Sequence, residues 1–301
     1  MIVSPCSNRK KASIDMGLQA AKLAPGTIQG VAAQWRSWLD AKPRPYTAQN
    51  LYCGRSFGDA NWSARASGMP HYIVSAGLGI VGPDDKIPSY AMTTAGSSDE
   101  NVLRKCPTGT IASDWWNAAF PNGVLAGLIS KANSKVFLAL PSVYLQMVKD
   151  ELLSLPFADL KKIRILTGAS DTLVADRLRD FILPYDSRLD GPDSPIPGTK
   201  SDFASRALRH FVGLPGLALE SSISGDRRIV EDALIGMRPP TSPKRIRLSD
   251  NEIRHALIAQ WRHVQGNRNK LLRHLRDELL VSCEQSRFAR LAREIEEEGL
   301  V

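Results

Sequence analysis

Short apolar runs rich in β-branched residues alternate along this chain with longer stretches in which apolar positions recur every three or four residues. Ile2-Val3 opens the first short run, and Pro5 ends it before the polar loop Cys6-Ser7-Asn8-Arg9-Lys10, because a proline has no N–H with which to continue a ladder. Residues 71–75, 135–140 and 161–167 read as further strands. Helical spacing covers 12–40, split at Pro25-Gly26, then roughly 48–66, 113–130, 142–153 and 171–183, the rhythm of an amphipathic face. This alternation predicts an α/β fold, a mostly parallel sheet flanked by helices.

Beyond about residue 215 the pattern changes to three helices, 249–264, 268–280 and 284–297, the first opened by the capping-box string Ser249-Asp250-Asn251-Glu252. The last carries Arg287, Arg290 and Arg293 on one face after a short turn, an arrangement that resembles a helix-turn-helix unit. The expected organisation is an α/β domain over 1–215 and a basic helical domain over 216–301, with Pro239-Pro240-Thr241-Ser242-Pro243 as a linker or wing.

Three irregular segments stand at predicted element ends: Ser4–Lys10, Ser75–Gly79 (with Gly77 between) and Asp186–Ser201. Ligands in parallel sheets bind outside the carboxyl ends of the strands, so the three are expected to converge on one cleft. The third gathers Asp186, Arg188, Asp190, Asp193, Thr199 and Lys200, then opens a helix capped by Ser201 or Asp202, whose first N–H groups would face an anion or a substrate oxygen. A long stretch from Gly77 to Gly109 holds Asp84 and Asp85; loops of such length are more often functional than idle.

Composition narrows the class. The 301 residues carry a net charge of +8, and no apolar run reaches the length of a membrane helix. The first strand starts at the amino terminus, which leads to an expectation of no signal peptide. Cys6, Cys53, Cys106 and Cys283 are widely spaced and the five histidines form no ligand pair, so neither a disulfide framework nor a metal is expected, no cofactor is implied, and a reducing cytoplasm fits best. Between Arg238 and Arg293 stand thirteen Lys/Arg against five acids, a surplus equal to that of the whole chain. Such clustering is the electrostatic footprint of a polyanion. DNA is the expected partner, with Arg268, Lys270, Arg273, Arg287 and Arg290 as its contacts.

Several strings resemble one family. Ser4-Pro5-Cys6-Ser7-Asn8-Arg9-Lys10, Leu51-Tyr52-Cys53-Gly54-Arg55-Ser56-Phe57 and Tyr72–Val81 through Ile87-Pro88-Ser89-Tyr90 are similar, in order, to bacterial domains related to the YaaA peroxide-stress proteins and archaeosine-modification enzymes. That group has a distant likeness to uracil-DNA glycosylases. The family's Pro-Tyr-Asp element reads Pro88-Ser89-Tyr90-Ala91 here, without its acid.

The resemblance covers about residues 1–95. It implies a DNA glycosylase that hydrolyses the N-glycosidic bond of a modified base, such as glucosylated hydroxymethylcytosine in phage DNA, as antiviral defence. In it Asn8 would position water. Asp84, Asp85, Asp190 and Asp193 are alternative acids, and Lys10 would hold a phosphate. Tyr52, Tyr90 or Trp115-Trp116 would stack on a flipped base, with Ser4, Cys6, Ser7, Arg55, Ser75, Gly77 and Gly79 lining a wide pocket. A non-catalytic YaaA-like DNA-binding protein and an RNA base-modifying enzyme are the other readings the sequence leaves open.

Overall fold

The computed structural model describes residues 1–170, 173–216, 221–241 and 243–301. Among them are seven strands: β1 (Ile2–Pro5), β2 (Tyr46–Thr47), β3 (His71–Ser75), β4 (Gly79–Val81), β5 (Lys86–Ile87), β6 (Val136–Ala139) and β7 (Ile163–Leu166). The longer helices of the first part are α1 (Ile28–Asp40), α3 (Arg55–Ser67), α4 (Ala112–Ala119), α5 (Val124–Lys131), α10 (Phe203–Val212) and α11 (Ile223–Ala233). Short ones lie between: α2 (Ala48–Leu51), α6 (Ser142–Met147), α7 (Lys149–Ser154), α8 (Phe157–Leu160) and α9 (Asp176–Arg179). The second part holds α12 (Asp250–Trp261), α13 (Arg268–Arg273) and α14 (Gln285–Glu297).

The expected α/β fold with a mostly parallel sheet is present. Its strand order is β4-β3-β1-β6-β7, with β4 antiparallel to β3 and the other neighbours parallel. Every residue of β1, β6 and β7 is buried, as both-face coverage by helices requires. Alternate residues serve opposite cores: Val3, Leu138 and Ile165 join Trp35 and Trp115 on one face, while Ile2, Phe137 and Leu166 join Ala60, Leu208 and Phe211 on the other. The period-2 geometry of a strand sorts them.

Several predicted helices are interrupted. The 12–27 stretch holds one 3-10 turn (Ala20–Lys22), because its backbone pairs with a distant strand-like segment, Ala20 N–H to Ala91 O at 2.9 Å and Ala91 N–H to Leu18 O at 2.8 Å. Tyr52–Gly54 divides α2 from α3, and Pro121-Asn122-Gly123 divides α4 from α5. The helix expected over 171–183 reduces to α9, and Asp171 and Thr172 lie outside the described residues.

The chain divides into units at Pro240/Thr241, not after residue 215 as the change of composition suggested. Helix α11 belongs to the first unit because Val230 and Leu234 pack into the core of Phe137 and Phe211. Asp226, fully buried, also joins Lys135 Nζ (2.7 Å) and the Arg164 guanidinium; buried charge is tolerated only in such pairings. In the second unit α12, α13 and α14 close around Leu257, Trp261, Leu271, Phe288 and Leu291. No helix among the described residues is long and apolar enough to cross a membrane.

Candidate functional site

The order of the sheet reverses at β1: the chain runs outward to β3 and β4, then crosses back to β6 and β7. Carboxyl-end loops on either side of such a reversal part and leave a crevice. Here the loops after β1 and β6 do so. Pro5–Arg9, Gly54–Ser56, Pro141, Tyr144, Thr199, Ser201 and Asp202 surround a cleft of about 470 Å³. A second cleft of about 390 Å³ lies at the end of β7, lined by Thr167–Ser170, Tyr185–Ser187, Asp190, Lys200 and Phe203. The ribbon Thr199–Asp202 contributes to both.

The β1 loop is zipped to the segment before α3. Cys53 N–H donates to Arg9 O (3.0 Å), Lys11 N–H to Leu51 O (2.8 Å), and the Ser7 hydroxyl to Cys53 O (2.5 Å). This clamp leaves Asn8 and Arg9 exposed at the loop's apex, on the cleft. Gly54 sits at φ +106°, a conformation reserved for glycine, and α3 begins there with no side-chain cap. The free N–H groups of the first turn, with Arg9 and Arg55, make this wall electropositive. Cys6 and Tyr144 meet on the cleft wall, Sγ to Oη 3.3 Å. Burial, and then the neighbouring Cys6, holds the Tyr144 phenol well above its usual pKa.

Asp202 is the acid of the first cleft. Its Oδ1 accepts from Thr199 N–H (2.8 Å) and Arg206 Nε (2.7 Å), and its Oδ2 lies 3.7 Å from Arg55 Nη1. Arg206 is fully buried and also donates to Asp190 and to the carbonyls of Leu189 (3.0 Å), Ile196 (3.1 Å) and Thr199 (3.0 Å). It staples the 189–202 loop to α10. Gly198 has to be a glycine here, since a Cβ would stand 2.3 Å from Arg206 Nε.

Of the sequence-derived residues, Cys6, Ser7, Asn8, Arg55 and Thr199 line the first cleft, and Asp190 and Lys200 the second. The others are elsewhere. Ser4 is wholly buried, bonded to His71 Nε2 at 2.7 Å. Ser75, Tyr52 and Tyr90 form a buried chain, Ser75 Oγ to Tyr90 Oη 2.5 Å and Tyr90 Oη to Tyr52 Oη 2.8 Å. Lys10 caps this chain, its Nζ 4.4 Å from the Tyr90 ring centroid and donating to Ser7 O at 3.2 Å; burial lowers its pKa.

Small residues at Gly77 and Gly79 do not widen a pocket. The Tyr90 ring fills the space beside Gly77 and Phe120 that beside Gly79. Trp115 and Trp116 are buried, donating to Ala76 O (2.8 Å) and Glu151 Oε1 (2.7 Å). Arg188 pairs with Asp186 at 2.9 Å, and Asp193 with Arg238 at 2.7 Å. The Arg238 guanidinium and backbone N–H hold the exposed Asp193 carboxyl down to about 2. Asp84 and Asp85 lie in the exposed turn between β4 and β5 and line neither cleft.

Sequence reasoning named Asp202 only as a possible helix cap and Arg9 only as part of the β1 loop, and it did not single out Arg206 or Tyr144. The i,i+4 spacing of Asp202 and Arg206 was the available signal.

The second unit is less basic than the Arg238–Arg293 window suggested. Four glutamates follow Arg293, so residues 241–301 hold twelve Lys/Arg against nine Asp/Glu, a net of +3. Arg287 and Arg290 both pair with Asp250, at 2.5 and 2.6 Å, and Arg268 pairs with Glu296. Lys270 and Arg273 instead line a cleft of about 440 Å³ within this unit.

Compared with protein-family models, curated proteins and solved structures, the chain finds no match.

Proposed function

We propose that the first unit is a DNA glycosylase that hydrolyses the N-glycosidic bond of a modified base, with the cleft between the β1 and β6 loops as its active site. One observation carries the reading: the Ser7–Arg9 loop, the uncapped start of α3 and the Asp202 carboxylate meet around a single cleft at the reversal of the sheet. The resemblance of the 4–10, 51–57 and 72–90 strings supplies the reaction class. It brings with it a uracil-DNA-glycosylase-like catalytic unit and phage DNA bearing glucosylated hydroxymethylcytosine as substrate, while the spacing of Arg287, Arg290 and Arg293 after a short turn supports a helix-turn-helix-like second unit.

Bond cleavage leaves an oxocarbenium-like sugar, so the task is to place a water and to stabilise charge. In this reading Asn8 orients the water and Asp202 accepts its proton. Arg9, Arg55 and the first turn of α3 hold the flanking phosphates, and Cys6 and Tyr144 flank the extruded base.

Single-turnover base release at saturating protein tests it. On duplexes carrying differently modified cytosines, Asn8→Ala is expected to slow release about 10²–10³-fold, the cost of one transition-state hydrogen bond, with DNA affinity unchanged. A wild-type chemical rate in that variant would remove Asn8 from the mechanism. Absence of abasic sites in every modified duplex would refute the glycosylase reading.

A further inference from the structure

Five of the ten arginines of the second unit are neutralised within it: Arg245 by Asp277, Arg254 by Glu294 and Glu298, Arg268 by Glu296, and Arg287 and Arg290 by Asp250. Lys270 and Arg273 differ. One helical turn apart on α13, they face a cleft of about 440 Å³ together with His263, Val264, Gln265, His274 and Glu278, and neither has an ion-pair partner among the described residues. Two cations left unpaired on one concave wall raise the local potential far more than paired ones.

The histidine beside them is unusually placed. His274 Nδ1 lies 2.8 Å from Glu278 Oε2, so Nδ1–H donates to the carboxylate. Its Nε2 is buried and has no hydrogen-bond partner among the described residues, a condition that costs free energy unless a ligand completes it. The backbone there widens into a π turn over His274–Glu278, a feature frequent at functional sites.

We infer that this cleft is the seat of a DNA backbone phosphate, with the Arg273 guanidinium and the Lys270 ammonium binding phosphate oxygens and the protonated His274 ring donating through Nε2–H. Glu278 fixes the imidazole's orientation. The choice of DNA as the source of the phosphate rests on the glycosylase reading; the seat itself rests on the cleft.

Equilibrium binding of the full chain to a fluorescein-labelled duplex of unmodified cytosine tests the seat apart from any base release. Lys270→Ala/Arg273→Ala is expected to weaken binding about ten-fold or more. It should also flatten the slope of log K against log salt by about 0.9, the loss of one phosphate contact. His274→Gln, which removes the Nε2–H donor but neither of the two permanent cations, is expected to weaken binding less than Lys270→Ala/Arg273→Ala does.

Lys244→Ala/Arg247→Ala removes the same charge from exposed positions of the same unit, and should cost far less. All four cations are exposed, so unchanged thermal unfolding is the control for folding. Equal losses in both double variants would overturn the seat in favour of diffuse attraction. Unchanged affinity in Lys270→Ala/Arg273→Ala, or a free deoxynucleoside monophosphate binding as tightly as the duplex, would also overturn it. Binding that depends on the seat in a protein that releases no base would support the seat and refute only the glycosylase reading.

Discussion

Replacing Arg206 by Met keeps an unbranched side chain of similar reach and removes five hydrogen-bonded acceptors' worth of donor. Asp202 and Asp190 lose their guanidinium partner, and the carbonyls of Leu189, Ile196 and Thr199 lose their donor. Breaking a buried ion pair from one side costs about 3–5 kcal/mol. Two features place this case near the lower end. Asp202 keeps the Thr199 N–H at 2.8 Å and Arg55 at 3.7 Å, and the Asp190 side chain, 18% exposed, can recruit water.

A loss of about 3 kcal/mol is roughly a 150-fold shift of the folding equilibrium. Urea unfolding followed by tryptophan fluorescence reads it, since five of the six tryptophans (Trp35, Trp38, Trp62, Trp115, Trp116) lie in the first unit. The midpoint should fall while the slope holds, and limited proteolysis should begin within 189–201. Arg206→Lys should recover part of the loss through a single ammonium. A Met variant within 0.5 kcal/mol of wild type, with the loop still resistant, would refute the stapling argument.

Two further outcomes follow from the buried side chains. Burial lowers the His71 pKa to about 4, so the folded ring stays neutral where the unfolded one, near 6.5, takes up a proton. Stability is therefore full above pH 6.5 and falls as pH drops toward 4, by about 2 kcal/mol at pH 5; urea midpoints of wild type and His71→Asn across this range should differ in slope, and parallel curves would contradict the assignment. Gly77→Ala sets a Cβ 2.6 Å from the Tyr90 ring and 3.3 Å from Trp35, an overpacking expected to cost about 1–3 kcal/mol in thermal or urea unfolding.

Elements governed by local pattern were legible in the sequence. The apolar runs at 2–5, 136–139 and 163–166 and helix α14 stand within a residue or two of where the pattern put them, and the capping-box helix α12 starts where expected and ends three residues early. Segments governed by distant partners were not. Leu18 and Leu23 are buried as their spacing implies, yet the backbone between them answers to residue 91 and not to a helix. The cleft was half legible: Cys6, Ser7 and Asn8 follow from a strand ending in a polar loop, whereas the meeting with Asp202 depends on the return of α10 across the sheet. Ser75, Gly77 and Gly79 misled because small residues read equally as an opening and as room for a ring.

The triad of Lys135, Arg164 and Asp226 bears on how the protein is made. Two cations stand on or beside β6 and β7, and the carboxylate that neutralises them arrives some sixty residues after the last strand. While the chain is still emerging from the ribosome, the Asp226 pairs with Lys135 and Arg164 cannot form until residue 226 appears. Domains generally fold as units in the order they are synthesised, and α11, which supplies Asp226, is the last helix of the first unit before the chain passes through Pro239-Pro240 into the helices that follow.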